Sequence, residues 1–225
     1  MSTNLLELET RAQKIVSLLK QATRGMRKPM TSLIVDVYGK DSFVILIACL
    51  LSLRARDTVT FGICKQLFAR AKTPHELLLV PLEELEAILR PLGFYRKKAH
   101  VIHDVSQEII DRFNGKVPAT EQELLSIKGV GRKTANLVLG EAFGIPALCV
   151  DTHVHQVANR LGLVDTSTPE QTEEQLKRFI PREQWIELSY LLVTWGQNVC
   201  VPLSPLCSRC ILLPFCPQRG IVRHR

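Results

Sequence analysis

"LLSIKGVGRKTANLVLG", Leu124–Gly140, is the stretch on which the reading of this chain turns. A short apolar segment runs into a bend built on Gly129-Val130-Gly131, and a second apolar-periodic segment follows it. The glycines strip side chains from the bend, so backbone amides and the N-terminus of the next helix can meet a phosphate oxygen. Lys128 precedes the bend and Arg132, Lys133 and Thr134 follow it. The pattern predicts helix, glycine turn, helix, with Lys128, Gly129, Val130, Gly131, Arg132 and Thr134 as phosphate contacts. A plain glycine turn between two helices is the competing reading.

Outward from that hairpin the apolar spacing stays helical. Leu5, Leu8, Ala12, Ile15 and Leu19 form one stripe, and Ile102, Val105, Ile109 and Phe113 another. Thr73-Pro74-His75-Glu76 and Thr168-Pro169-Glu170-Gln171 each place a Thr cap before a proline, with Glu or Gln three residues after the cap. Thr120 with Glu123 repeats the box without the proline. With turns at Gly39, Asn114-Gly115 and Gly162, these marks divide the chain into about ten or more short helices. The fold class is all-α, with no strand, repeat or linker in the pattern. The longest apolar run, Phe43 to Leu51, falls far short of the roughly 20 residues that cross a bilayer, so it reads as a buried helix and excludes a membrane partner. The first thirty residues lack a signal-peptide apolar region, which points to the cell interior.

The chain has 225 residues, enough for one large domain or two small ones with a core of their own. A net charge of +7 favours a polyanionic partner. Local basic clusters at Arg24, Arg27 and Lys28, at Arg96, Lys97 and Lys98, and at Lys128, Arg132 and Lys133 suit a surface that tracks phosphates.

Four of the seven cysteines, Cys200, Cys207, Cys210 and Cys216, fall in one seventeen-residue tail with C-x6-C-x2-C-x5-C spacing. Chance would put about half a cysteine there, so the four are expected to bind something. An intracellular setting and an odd total disfavour disulfides, and zinc sites usually offer two close pairs where this tail has one. A 4Fe-4S cluster on four thiolates is the preferred reading, with zinc the alternative. Cys49, Cys64 and Cys149 lie in apolar settings and read as core.

The glycine hairpin with its following Lys, the segment "VDTHVHQVANRLG" at Val150–Gly162, and the cysteine spacing together resemble the endonuclease III family, DNA glycosylases and AP lyases of the helix-hairpin-helix, Gly/Pro-Asp superfamily. The resemblance runs from about residue 30 to 217. It implies two helical domains with a DNA-binding cleft: a six-helix barrel at about 35–145 containing the helix-hairpin-helix, and a cluster domain joining 1–34 to 146–225. It implies Lys133 as nucleophile, Asp151 as essential carboxylate, and Cys200, Cys207, Cys210 and Cys216 as 4Fe-4S ligands. The partner implied is double-stranded DNA carrying oxidised pyrimidines or abasic sites, met by a monomer. Lys133 is expected to be partly buried in the first turn of its helix, and Asp151 to cap a helix as well as act in chemistry.

Several positions depart from the family pattern. Arg54, in "LLSLR" at Leu50–Arg54, stands where a glutamine that fills the gap of the flipped nucleotide is common, and Phe94 aligns with a second probing position. Lys128 stands where proline is frequent, and Gln156 where arginine is. Arg209, between two of the cysteines, is expected to face DNA. Two other functions stay open at this level: a non-catalytic iron-sulfur protein that binds DNA or senses redox state, and a mismatch-specific glycosylase.

Overall fold

The computed structural model describes residues 2–225, with side chains from Leu6 onward; Leu5 of the first stripe lies outside the described side chains. Twelve α-helices and three short 3-10 turns make up the regular structure of the described residues, with no strand among them. The helices are α1 (Ser2–Ala22), α2 (Met30–Tyr38), α3 (Ser42–Ser52), α4 (Asp57–Phe68), α5 (Pro74–Leu79), α6 (Leu82–Leu89), α7 (Tyr95–Phe113), α8 (Glu121–Ser126), α9 (Arg132–Phe143), α10 (Thr152–Arg160), α11 (Pro169–Lys177) and α12 (Trp185–Asn198). The chain divides into two compact units, Met30–Ile145 and the pair Met1–Pro29 with Pro146–Arg225. None of the described helices is long and apolar enough to cross a membrane.

In the unit Met30–Ile145, α3 is the central rod: Phe43 to Leu51 are all buried, and the helix packs on α2, α4, α7 and α9. Asp41 caps its start by accepting from the Val44 N–H at 2.9 Å. Helix α7 lies against α3, α5 and α6 with Ile102, Val105 and Ile109 inward. The predicted caps form. Thr73 and Glu76 make a reciprocal box. Thr120 accepts from the Glu123 N–H at 3.2 Å, while the Glu123 carboxylate accepts from the Thr120 hydroxyl instead of the backbone.

The other unit closes on one core. Ala12, Ile15 and Leu19 of α1, Val154 and Val157 of α10, and Leu188, Leu192 and Trp195 of α12 share it, and Cys200, Cys210 and Cys216 pack at its edge. Burying such side chains contributes on the order of 1.5–3 kcal/mol each before conformational entropy is counted. Thr168 caps α11 by accepting from the Gln171 N–H at 3.3 Å. Cys49, Cys64 and Cys149 are buried core thiols.

Candidate functional site

In the unit Met30–Ile145, α8 and α9 frame the turn Ile127–Gly131. Ile127 and Val130 point inward, and the Val130 N–H returns to the Ile127 carbonyl at 3.0 Å. Gly129 has φ +99°, a region that side chains rarely adopt, and a Cβ there would sit 3.2 Å from Val101 Cγ1. Gly131 is the N-cap of α9 and supplies no side chain, so the first N–H groups of α9 meet no capping oxygen. Around Gly131 a Cβ would meet open space. The turn is held from below by α7: Glu108 accepts from the Lys128 N–H at 3.1 Å, and Arg112, ion-paired with Glu108, donates to Ser126 Oγ at 2.8 Å. These bonds fix the turn beside the exposed Lys128, Arg132 and Lys133.

Two expectations change on this surface. Lys133 is exposed on the second residue of α9 and not partly buried, because the adjacent glycines leave no side chains to cover it. Thr134 and Val130 turn their side chains into the core, so Thr134 could reach a phosphate only through its backbone, and the Val130 N–H is already given to the Ile127 carbonyl. The cluster Arg96, Lys97 and Lys98 divides: the first two are exposed and Lys98 is buried.

Arg54 and Phe94, both exposed, share an unusual backbone. Their φ values are +53° and +60°, and among the described residues only Asn114 and Gln218 are other non-glycines in that region. Asn114 is the C-cap of α7, a routine place for it. A left-handed Phe or Arg costs about 1–2 kcal/mol and needs a surrounding structure that imposes it. Phe94 is also 65% exposed, an apolar ring kept in water at the start of α7.

In the other unit Asp151 is the N-cap of α10. Its Oδ1 accepts from the His153 N–H at 2.8 Å and the Val154 N–H at 2.9 Å, so both cap bonds fall on one oxygen and Oδ2 takes no part in them. His153 is wedged against Gly196 of α12, where a Cβ would lie 2.8 Å from His153 Cβ, and its Nδ1 is buried without a partner.

The far end of α10 carries a residue that the sequence reading passed over. Arg160 is buried and spreads its guanidinium over the cysteine loop: it donates to the carbonyls of Cys200 at 3.1 Å, Val201 at 2.9 Å and Pro202 at 2.6 Å, and to Cys200 Sγ at 3.5 Å. Cys216 Sγ donates to the Arg160 carbonyl at 3.2 Å and accepts from the Gln218 N–H at 3.4 Å. Arg11 of α1 donates to the carbonyls of Leu161 and Phe215 while its buried Nε lacks a partner close to Cys216. Burial raises the thiols of Cys200, Cys210 and Cys216 first, and neighbouring cysteines add to it, while Arg160 acts against the rise at Cys200. Among the described residues no three His, Cys, Asp or Glu side chains are gathered tightly enough to hold a single metal ion. Arg209 is exposed on the 3-10 turn Cys207–Arg209.

A glycine hairpin followed by a lysine, and a helix capped by an aspartate eighteen residues beyond that lysine, stand in a chain whose residues 47–182 match the HhH-GPD superfamily of base excision DNA repair proteins, to which the chain belongs. It is 43% identical over 190 residues to endonuclease III of Thermotoga maritima, covering 82% of this chain and 89% of that one. Among solved structures it is similar to an endonuclease III in a non-covalent DNA complex (TM-score 0.80, 34% identity, 93% of this chain and 95% of that one) and to an endonuclease III trapped as a covalent intermediate with DNA (TM-score 0.77, 37% identity, 92% and 95%). Within the superfamily the chain is thus a base excision repair enzyme of the endonuclease III kind, a DNA glycosylase and AP lyase.

Proposed function

We propose that this enzyme removes oxidised pyrimidines from double-stranded DNA and nicks the abasic site by β-elimination, with Lys133 as the nucleophile and Asp151 as the carboxylate. The observation that carries the reading is Lys133 itself: an exposed amine two residues after an uncapped glycine turn, in a chain similar to an endonuclease III trapped covalently on DNA. The flipped nucleotide brings C1′ to the Lys133 Nζ lone pair. The C–N bond to Nζ forms as the glycosidic bond breaks, its electrons leave with the base, and the base takes up a proton. Nζ then gives up one proton, its lone pair expels the ring oxygen O4′ from C1′, and O4′ takes up a proton as the ring opens, which gives the imine, protonated at nitrogen. Loss of a C2′ proton then expels the 3′ phosphate. Asp151, with Oδ2 outside its cap bonds, stabilises positive charge developing on the sugar and relays protons.

Backbone N–H groups of Gly129, Gly131 and Arg132 and the side chains of Lys128 and Arg132 hold the phosphates, and Arg54, Phe94 and Arg209 complete the contact with DNA. Phe94 wedges between bases and Arg54 occupies the gap left by the flipped nucleotide. The protein acts as a monomer inside the cell.

The tail Cys200, Cys207, Cys210 and Cys216 fits a 4Fe-4S cluster by its donor set. Within this tail Cys200 Sγ lies beside the Arg160 guanidinium, and Cys216 Sγ beside the Gln218 N–H and the unpartnered Arg11 Nε, which are donors suited to an anionic iron-sulfur centre. When bound, the cluster would cross-link four points of the tail through iron-thiolate bonds; it contributes no electron to base release.

Borohydride trapping on duplex DNA with a defined abasic site tests the catalytic reading. A covalent complex is expected with the wild type and none with Lys133→Ala. A trapped complex in Lys133→Ala would move the nucleophile elsewhere, and no complex with either would leave a non-catalytic DNA-binding protein. Iron and zinc content of the purified protein decides between cluster and zinc.

A further inference from the structure

Lys98 is the anomaly of the unit Met30–Ile145. It belongs to a run of three cations in the first turn of α7, the end of a helix least suited to positive charge. Its side chain is nevertheless buried, 9% exposed, with no carboxylate paired to it among the described residues. Burial pushes the ammonium's pKa down, which measures the cost of holding a cation there. Its one hydrogen bond reaches forty-seven residues back: Nζ donates to the Leu51 carbonyl at 2.7 Å. Leu51 lies in the last turn of α3, where carbonyls lack intrahelical partners and the helix dipole favours a cation.

Each end of this tie lies next to a strained residue. Three residues after Leu51 comes Arg54, and the Lys98 N–H makes the first bond of α7 to the Phe94 carbonyl at 3.0 Å. Left-handed Arg and Phe persist only where neighbours over-determine them, and Phe94 has no side-chain cap bond at the start of α7. We propose that Lys98 is a positioning residue that locks the end of α3 to the start of α7, so that Arg54 and Phe94 enter DNA as one preset pair. The proposal rests on the reading of Arg54 and Phe94 as DNA contacts. It adds that they are coupled through a buried ammonium that never touches DNA.

The test is a cycle of single-turnover base-release rates on duplex DNA, with thermal melts to establish folding. Lys98→Met removes the cation at similar volume, and Lys98→Gln is the second variant should the first not fold. In the wild-type background either substitution is expected to slow base release about tenfold, the loss of a charged hydrogen bond. In an Arg54→Ala, Phe94→Ala background it is expected to slow it less than about twofold, because the residues it positions are gone. An equal loss in both backgrounds would make Lys98 a general structural residue, and no loss in either would make the tie idle; both overturn the proposal. If the Arg54→Ala, Phe94→Ala protein itself matches wild type, the DNA-contact reading fails first, visible without any change at Lys98, and the proposal falls with it.

Discussion

Replacing Asp151 separates the cap bonds that its carboxylate makes from the chemical role proposed for it. Oδ1 takes both cap bonds, from His153 at 2.8 Å and Val154 at 2.9 Å. The side-chain oxygen of Asn can accept the same pair, and Ala can accept neither. Losing an N-cap to Ala costs about 1 kcal/mol, within a range of about 0.5–2. Asn keeps the bonds and gives up only the favourable charge at the helix N-terminus, about 0.3–1 kcal/mol. For a chain of this size, 1 kcal/mol corresponds to about 2–4 °C in Tm. A fixed group that stabilises transition-state charge is worth more, about 2.7–4 kcal/mol, or a hundred- to thousandfold in rate. Asp151→Asn is therefore expected to melt within about 4 °C of wild type while single-turnover base release falls at least about a hundredfold. Asp151→Ala should show the same kinetic loss with the larger fall in Tm. The rates are read on a duplex with one oxidised pyrimidine, at a temperature well below every melt. Near-wild-type base release by Asp151→Asn would refute the chemical role and leave Asp151 a helix cap.

Three further outcomes follow from the geometry. Gly196→Ala puts a Cβ 2.8 Å from His153 Cβ, against helix α10 two residues from Asp151; overpacking of this kind costs about 1–3 kcal/mol, and a lowered Tm with slower base release is expected from melts and single-turnover rates. Arg54→Gln should reduce the preference for lesions opposite guanine over adenine by roughly tenfold, since a guanidinium can give two hydrogen bonds to guanine acceptors; equal G/A ratios in the two proteins would remove that role from Arg54. Burial pushes the Cys64 thiol up to about 12 from 9.0. The folded-state value is the raised one, so the contribution is intact below about pH 9. Between there and about pH 12 the unfolded chain gives up the proton that the folded chain keeps, and stability falls by up to about 1.4 kcal/mol per pH unit. Denaturant titrations at pH 8, 9.5 and 10.5 should show a shallower alkaline decline in Cys64→Ala.

What the sequence disclosed followed the kind of signal each feature left. The glycine hairpin was legible because Gly129 answers a backbone demand, φ +99°, that few residues meet. The Thr73, Thr120 and Thr168 caps were legible because capping is local and its partner lies three residues away. The left-handed backbone at Arg54 and Phe94 left no such trace, since neither residue type announces positive φ; the family resemblance raised those positions and the conformation emerged only in three dimensions. The division at Met30 and Ile145 was illegible to pattern alone, because Pro29, Gly144 and Pro146 at those borders look like the turns that separate helices elsewhere in the chain.

The two buried cations show where periodicity could have been pressed harder. Lys98 was grouped with Arg96 and Lys97 as a basic surface, yet it stands four, seven and eleven residues before Ile102, Val105 and Ile109, in register with the apolar stripe of α7. At 3.6 residues per turn those positions share one face, so the stripe predicts a buried lysine while the neighbouring charges suggest an exposed one. Arg160 poses the same conflict on α10, three residues after the buried Val157. Burial prevails in both because each cation finds backbone acceptors in a distant segment, the one carbonyl of Leu51 of α3 for Lys98 and those of residues 200–202 for Arg160. An uncompensated buried charge is too costly to be incidental, so a cation in register with an apolar stripe signals carbonyl acceptors far away in sequence. In this chain those acceptors lie beside Arg54 in one unit and at Cys200 in the other, so the misplaced charges mark the segments proposed to contact the lesion and to hold the cluster.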